Sequence, residues 1–260
     1  MNLTVFTSNQ PRHIHLVDKL AGVVDRVYCV QECNTIFPGQ VADFFKKSPV
    51  MRDYFGKVVD AERAIFGAPH FSKSNVQTLS LKSGDLNLVD KETLGDALSS
   101  DIYVVFGASF IKGWLIDFLV ENRATNIHMG LSPYYRGSSC NFWAMYDHKP
   151  ECVGATIHKL SKGLDSGDIL FHCLPSPLLG ESGFSFTMRA VEVAHKALVS
   201  SIANNALFEI EPVSQNKRLE IRYTRNTDFT DAVAKEFLER SVQIEASSLD
   251  YPELRDPFFG

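Results

Sequence analysis

Asn126-Ile127-His128-Met129-Gly130-Leu131-Ser132-Pro133-Tyr134-Tyr135-Arg136-Gly137 opens the stretch whose reading decides the fold. It continues through Thr156-Ile157-His158 to Leu164-Asp165-Ser166-Gly167-Asp168-Ile169. Side chains two apart on a strand share a face, so Asn126 and His128 project together while Ile127 is buried on the other side. Gly130, Pro133 and Gly137 turn the next residues into a loop. A strand that gives way to an irregular loop at its carboxyl edge is where open α/β sheets place their chemistry. A short apolar helix follows, then a second strand over Val153–His158 and the turn that carries Asp165.

These residues resemble the formyltransferases that use N10-formyltetrahydrofolate. That family's signature is Asn-x-His, a Pro-rich loop, a Thr-(Val/Ile)-His strand and a (Leu/Val)-Asp-x-Gly-(Asp/Gln)-Ile turn. The resemblance is tight over residues 100–170 and loose over 1–200. It implies an α/β, Rossmann-like formyltransferase fold: a mostly parallel twisted sheet with helices on both faces. It also implies a catalytic trio of Asn126, His128 and Asp165. Most members carry Ser two places after the catalytic His and then Leu-Leu-Pro, where this chain has Gly130 and Leu131-Ser132-Pro133.

The residue types suit the reaction. An amine attacking a formyl carbon passes through a tetrahedral oxyanion, and a neutral amide such as Asn126 can donate to it. The attacking nitrogen must lose a proton, and a His near its usual pKa of about 6.5 can accept it. A carboxylate beside the ring orients it and stabilises the imidazolium.

Composition sets the bounds. The 260 residues carry a net charge of −5, 45% hydrophobic residues and 19 Phe, ample for one large domain plus an appendage. An acidic balance argues against a broad nucleic-acid face. The first residues lack the charged and apolar run of a signal peptide, and no window is long enough to span a membrane, so a cytoplasmic location is expected. Cys29, Cys33, Cys140, Cys152 and Cys173 are odd in number and match no metal framework.

Along the chain, Leu3–Thr7 reads as a central strand and Arg12–Leu20 as a helix with Ile14, Leu16, Val17 and Leu20 inward. The loop between them has no Gly-x-Gly-x-x-Gly, so a dinucleotide fingerprint is absent. Ser8, Asn9 and Arg12 either contact a phosphate or cap the helix. Val27–Val30 is a strand and 31–40 a loop holding Pro38 and Gly39. Residues 40–66, broken at Ser48-Pro49, read as two helices with Phe44, Met51, Tyr54, Phe55 and Val58 inward. Val76–Leu81 is a strand, Leu94–Leu98 a short helix, and Ile102–Gly107 an apolar strand. Gly107, Ser109 and Ile111, in the exit loop, line the pterin pocket if the resemblance holds, and form a plain βα loop otherwise; the turn residue Asp168 is placed with them. Tyr134 and Tyr135 either stack on a sugar or base or pack at a rim. Arg136-Gly137 and Asn141-Phe142-Trp143 are similar to a pattern in the amino-sugar branch, which places Tyr134, Tyr135, Arg136 and Trp143 in substrate binding. His172 and His195 read as structural. Ser182–Leu207 is a long helix capped by Ser182 or Ser185. Leu219–Tyr223 reads as a strand and Thr230–Arg240 as a helix.

The expected organisation is a catalytic domain over 1–210 and a small α+β appendage over 211–260. The expected activity is formyl transfer from N10-formyltetrahydrofolate, with no metal, to the amine of a nucleotide-linked amino sugar. GDP-perosamine N-formyltransferases, which act in surface polysaccharide biosynthesis, are the nearest likeness. A methionyl-tRNA formyltransferase, a non-catalytic sugar-nucleotide-binding protein on the same fold and a formyl-folate hydrolase are the rivals. No nucleic-acid or membrane partner is expected, and a homodimer stays open.

Overall fold

The structure, a computed structural model, describes residues 1–36, 40–41 and 43–260, with the backbone alone for Ile36. In chain order its elements are β1 (Asn2–Ser8), α1 (Pro11–Leu20), β2 (Arg26–Cys33), β3 (Thr35–Ile36), β4 (Gln40–Val41), α2 (Pro49–Phe66), β5 (Val76–Lys82), α3 (Lys91–Leu94), β6 (Ile102–Phe106) and α4 (Gly113–Glu121). Then come β7 (Thr125–His128), β8 (Tyr135–Gly137), α5 (Cys140–Tyr146), β9 (Ala155–Lys159), β10 (Ile169–Leu174), α6 (Gly183–Ala203), β11 (Arg222–Thr224), α7 (Asp231–Arg240) and β12 (Phe258–Phe259).

Eight strands form one sheet in the order β12-β10-β9-β7-β6-β1-β2-β5. All neighbours run parallel except β7–β9 and β9–β10, which are antiparallel. The central strands are apolar throughout because both faces are covered. Leu3 and Val5 of β1 join Ile102, Val104 and Phe106 of β6 in a core with α1 and α6. Phe6, Tyr103 and Val105 point the opposite way, onto Leu115 and Leu119 of α4. This is the α/β arrangement expected, with helices on both faces.

Several local expectations are corrected. Among the described residues of 40–66 there is one α-helix: Phe44–Lys46 makes a 3₁₀ turn, and Ser48 accepts from Met51 N to start α2. The expected 31–40 loop begins later, since β2 runs to Cys33 beside β5; Pro38 and Gly39 lie outside the described residues. Leu94–Leu98 splits into the end of α3 and a 3₁₀ turn. Strand β11 covers three residues rather than Leu219–Tyr223. In α1 the buried residue beside Leu16, Val17 and Leu20 is His13, with Ile14 only half-buried.

The last fifty residues return to the rest of the molecule. Phe258–Phe259 adds β12 parallel to β10 at the sheet edge, and β11 pairs with β8. Phe237 of α7 and Ile244 join Tyr54, Phe142, Trp143 and Phe186 in a second apolar core. His172 ties this tail to the loop after β7: its Nε2 donates to Ser132 O at 2.8 Å, and its Nδ1 accepts from Arg255 N at 2.8 Å. Among the described residues no helix is long and apolar enough to cross a membrane.

Candidate active site

Strand β7 presents Asn126 and His128 on one face, with Ile127 packed in the core opposite. The antiparallel neighbour β9 sets His158 directly across from Asn126 and Thr156 across from His128. Each of these β9 residues has work on β7 or its loop. Thr156 Oγ1 donates to Gly130 O at 2.7 Å and accepts from Ser132 N at 2.8 Å, which folds the loop back over the strand end. The Nε2 of His158 lies 3.0 Å from Asn126 Nδ2, and its Nδ1 lies 2.8 Å from Lys159 O. A carbonyl can only accept, so Nδ1 carries the proton and Nε2 accepts from the amide. His158 thereby fixes which way Asn126 faces, and among the described residues the second Nδ2–H has no acceptor. The sequence marked His158 as part of a motif without giving it this part.

Asp165 arrives from the turn between β9 and β10, at a left-handed φ of 46°. Its Oδ2 is 3.3 Å from His128 Nδ1, and both side chains are largely buried, 6% and 13% exposed. Gly167 is required by the same turn: a Cβ there would stand 1.7 Å from Lys159 O. Gly130 has a comparable reason. A Cβ would meet His128 Nε2 at 2.7 Å and Cys140 Cβ at 2.5 Å.

The electrostatics set the charges. Burial works to lower the His128 pKa, but the Asp165 carboxylate and the Cys140 sulfur outweigh it and hold the imidazole well above its ordinary value. Burial works to raise Asp165, yet the His128 imidazolium, with His158 and Arg136 behind it, keeps the carboxyl below its usual range. His158 is pushed down to about 4 by burial and by the charge on His128, against the hydrogen bond to Lys159 O. These directions favour an imidazolium–carboxylate pair beside a neutral His158. The expectation that His128 titrates near 6.5 is therefore corrected. Its second nitrogen also faces an acceptor, Tyr135 O at 3.3 Å, so the ring rests as a donor.

Two cavities are lined by members of the trio. One, of about 140 Å³, is lined by Asn126, His158 and Asp165 together with Ser109, Phe110 and Ile111 from the β6 exit loop. The other, of about 360 Å³, holds His128 and Cys140 with Tyr54, Phe55, Phe142 and Phe229. A third cavity, of about 660 Å³, shares no lining residue with either and lies around His148, Glu151 and Arg240.

The other expected site residues fall unevenly. Ser109 and Ile111 line the smaller cavity, while Gly107 and Asp168 do not. The backbone N–H of Ser109 is already spent, donating at 2.6 Å to Glu32 Oε2, whose Oε1 accepts from Gly84 N at 2.8 Å. Glu32 is 2% exposed and holds this loop through the Ser109 N–H; in the sequence it falls in the expected 31–40 loop, with no sign of this part. Asp168 Oδ1 accepts from Ser214 Oγ at 2.9 Å. Ser8 and Asn9 neither cap α1 nor stand free, since they fasten Asn34 and Thr35. Arg12 lines the larger cavity, but its guanidinium is held 2.7 Å from the buried Glu62. Tyr134, Tyr135 and Trp143 are core residues, 6%, 1% and 3% exposed, and line neither cavity at the trio. The hydroxyls of Tyr134 and Tyr135 go to Glu253 O and Asp147 Oδ2, and the guanidinium of Arg222 covers the Trp143 ring at 4.6 Å. Arg136 bonds Glu220 at 3.0 Å and the Leu164 carbonyl at 3.4 Å, beside the Asp165 turn.

Comparison with known proteins gives one family. The family model described as Formyl transferase matches residues 61–202, more than half of the chain. A methionyl-tRNA formyltransferase of Lachnospira eligens is 36% identical over 118 residues, 45% of this chain and 37% of that protein. The chain thus spans under two-fifths of that relative. Among solved structures, a 4-N formyltransferase from Francisella tularensis superposes with a TM-score of 0.52 at 14% identity, covering 98% of both chains. A sugar N-formyltransferase from a Shewanella species superposes with a TM-score of 0.51 at 19% identity, covering 88% of this chain and 78% of that one. At such identities the structural likeness establishes the fold.

Proposed function

The chain belongs to the formyl transferase family, and on that premise we propose that it moves a formyl group from N10-formyltetrahydrofolate to the amine of a nucleotide-linked amino sugar. The observation that carries this is that Asn126 and Asp165 line one cavity and His128 lines another, while His128 and Asp165 stand 3.3 Å apart. On this reading the donor takes the first cavity, the acceptor the second, and the two meet at the trio. The smaller cavity is well under the roughly 300 Å³ that encloses a drug-sized ligand. It suits a flat ring such as the pterin, with the rest of the donor outside. Ser109 and Ile111 are its binding residues on this reading.

Proton bookkeeping follows from the charges. The amine loses one proton in forming the formamide, and the folate N10 gains one as its bond to the formyl carbon breaks. His128 begins charged, so it donates first, towards the formyl oxygen or the departing nitrogen. The neutral ring that remains can take the amine's proton, with Asp165 stabilising the imidazolium at both ends of the cycle. The free N–H of Asn126 is the second donor to the oxyanion.

The aromatic lining of the larger cavity supports a sugar acceptor, since sugar faces stack on rings, and the likeness to two structures with N-formyltransferase activities is consistent with it. The segmental identity to a methionyl-tRNA formyltransferase favours a second reading, a tRNA acceptor. Incubating the protein with N10-formyltetrahydrofolate and a panel of nucleotide-linked amino sugars, GDP-perosamine included, tests the first. A formamide product with matching tetrahydrofolate is expected. Formylation of charged tRNA only, with salt-sensitive binding, would replace the sugar with the tRNA.

A further inference from the structure

The turn that delivers Asp165 is tied within itself by Ser161 Oγ, which bonds Gly163 O and Ser166 Oγ, and is also held from outside. Asp165 stands at a left-handed φ, a conformation that costs a non-glycine residue and persists only when surroundings enforce it. The contacts that grip the two carbonyls flanking Ser166 come from the segment just past residue 210. Gln215 Nε2 donates to the Asp165 carbonyl at 2.9 Å and to the Gly167 carbonyl at 2.8 Å, spanning the turn from one side. Its Oε1 is buried and has no hydrogen-bond partner among the described residues. Flipping the amide would not relieve that atom, because it would set an oxygen against two carbonyls. The amide is therefore locked nitrogen-inward, at the cost of a stranded acceptor. A buried polar atom left unsatisfied calls for an explanation, and a functional constraint is one.

Neighbours in the same segment act on the same turn. Val213 bridges Ile169, each donating to the other's carbonyl at 2.8 Å. Glu220 holds Arg136, which reaches the Leu164 carbonyl one residue before Asp165. We infer that Gln215 is a positioning residue for Asp165, and that the 213–220 segment serves the site by clamping the turn against β9. This rests on the proposed part of Asp165, but the geometry of the clamp stands apart from it. Besides Asp165, the ionisable groups around His128 are His158 from β9 and Cys140 from α5, while Arg136 from β8 acts on Asp165.

Point variants read by steady-state kinetics, by the His128 titration and by melting temperature test it. Gln215→Glu keeps the shape and replaces the double donor with an acceptor; Gln215→Ala removes it. Asn216→Ala, which loses a cap to Arg218 N next door, is the control for general loosening. With the Gln215 variants, kcat should fall by about 10- to 100-fold, the effect of a displacement near 1 Å. Both Michaelis constants should stay within about threefold, as expected when an interaction with the reacting centre is lost. In the ligand-free protein, the imidazole titration of His128 followed by NMR should move down towards about 6.5, while Asn216→Ala leaves it in place. Wild-type kcat and an unmoved His128 titration in both Gln215 variants would overturn the inference. So would a lower Tm with the titration unchanged, which marks mere packing. If Gln215→Glu does not fold, Gln215→Asn shortens the reach and gives the same titration reading. Asp165→Asn run alongside separates the two ideas: if it leaves turnover intact while the Gln215 variants still shift His128, the clamp holds and the catalytic reading of Asp165 falls.

Discussion

With Asp165 on one ring nitrogen and the Tyr135 carbonyl on the other, His128 has acceptors at both ends of its imidazole. Its folded pKa is raised despite burial. The stability it contributes is thus fully present below the unfolded value of about 6.5, and is lost as pH rises through the folded value. Asp165 runs the other way: its contribution is present above about 3.9 and is lost as pH falls through its lowered value. The pair is intact between those limits, and a reaction that needs the charged ring should show a basic limb well above 6.5. Asp165→Asn keeps the shape but removes the carboxylate, so kcat should fall and the basic limb should move to lower pH. An unchanged pH–rate profile would leave Asp165 a turn residue only. Asn126→Ala removes an oxyanion donor and should cost about a hundredfold in kcat, measured beside an unchanged melting temperature.

The helix α1 shows how an element's packing redirects a side chain. Arg12 looks from the sequence like a phosphate ligand one turn into a helix. In the fold, Glu62 of α2 faces it from a nearly buried position and takes both its guanidinium and its backbone N–H. Arg12→Ala should therefore act first on stability, by roughly 1–3 kcal/mol for a buried acceptor stripped of its partner. Thermal denaturation of the variant checks this; a wild-type Tm together with a raised Michaelis constant for the sugar nucleotide would return Arg12 to the acceptor. The strands were legible where alternation or continuous apolarity is strong, as in Leu3–Thr7, Ile102–Gly107 and Asn126–His128. Spacing alone placed Asn126 beside His128, and the signature placed Asp165 with them. What the sequence hid depends on contacts between distant elements. Tyr134, Tyr135 and Trp143 looked like a binding surface because aromatic residues serve equally well in a core, and only the arrival of α7 and the tail decides between the two. Glu32 and Gln215 act from remote segments, and no local pattern announces them.

Across the whole molecule the last fifty residues serve two ends, the sheet edge through β12 and the site through Gln215. We keep the division at residue 210 as a proposal about labour, chemistry on one side and bracing on the other, rather than about independent folding. A chain ended there should lose the second core's Phe237 and bare the β10 edge, and a soluble, cooperative melt from it would show the bracing to be dispensable. Histidines set the response of the whole to acid. His13, His158, His172 and His195 are at most 4% exposed, and burial lowers the pKa of each. His13 Nδ1 and His195 Nε2 also lack partners among the described residues, so a proton there gains no acceptor. For a base whose folded pKa is depressed, the unfolded chain binds the proton first, so stability drops as pH falls below about 6.5. Each such ring costs at most about 2 kcal/mol by pH 5, and four together rival the roughly 5–15 kcal/mol of a typical domain. His128, already charged when folded, contributes a constant stability below about 6.5 and does not offset their loss there. Melting temperature should thus fall steeply between pH 7 and 5, and His195→Gln should flatten that fall while costing stability at pH 7. A melting temperature that stays level down to pH 5 would mean that these rings find acceptors in solution, and the neutral interior drawn from their burial would have to be abandoned.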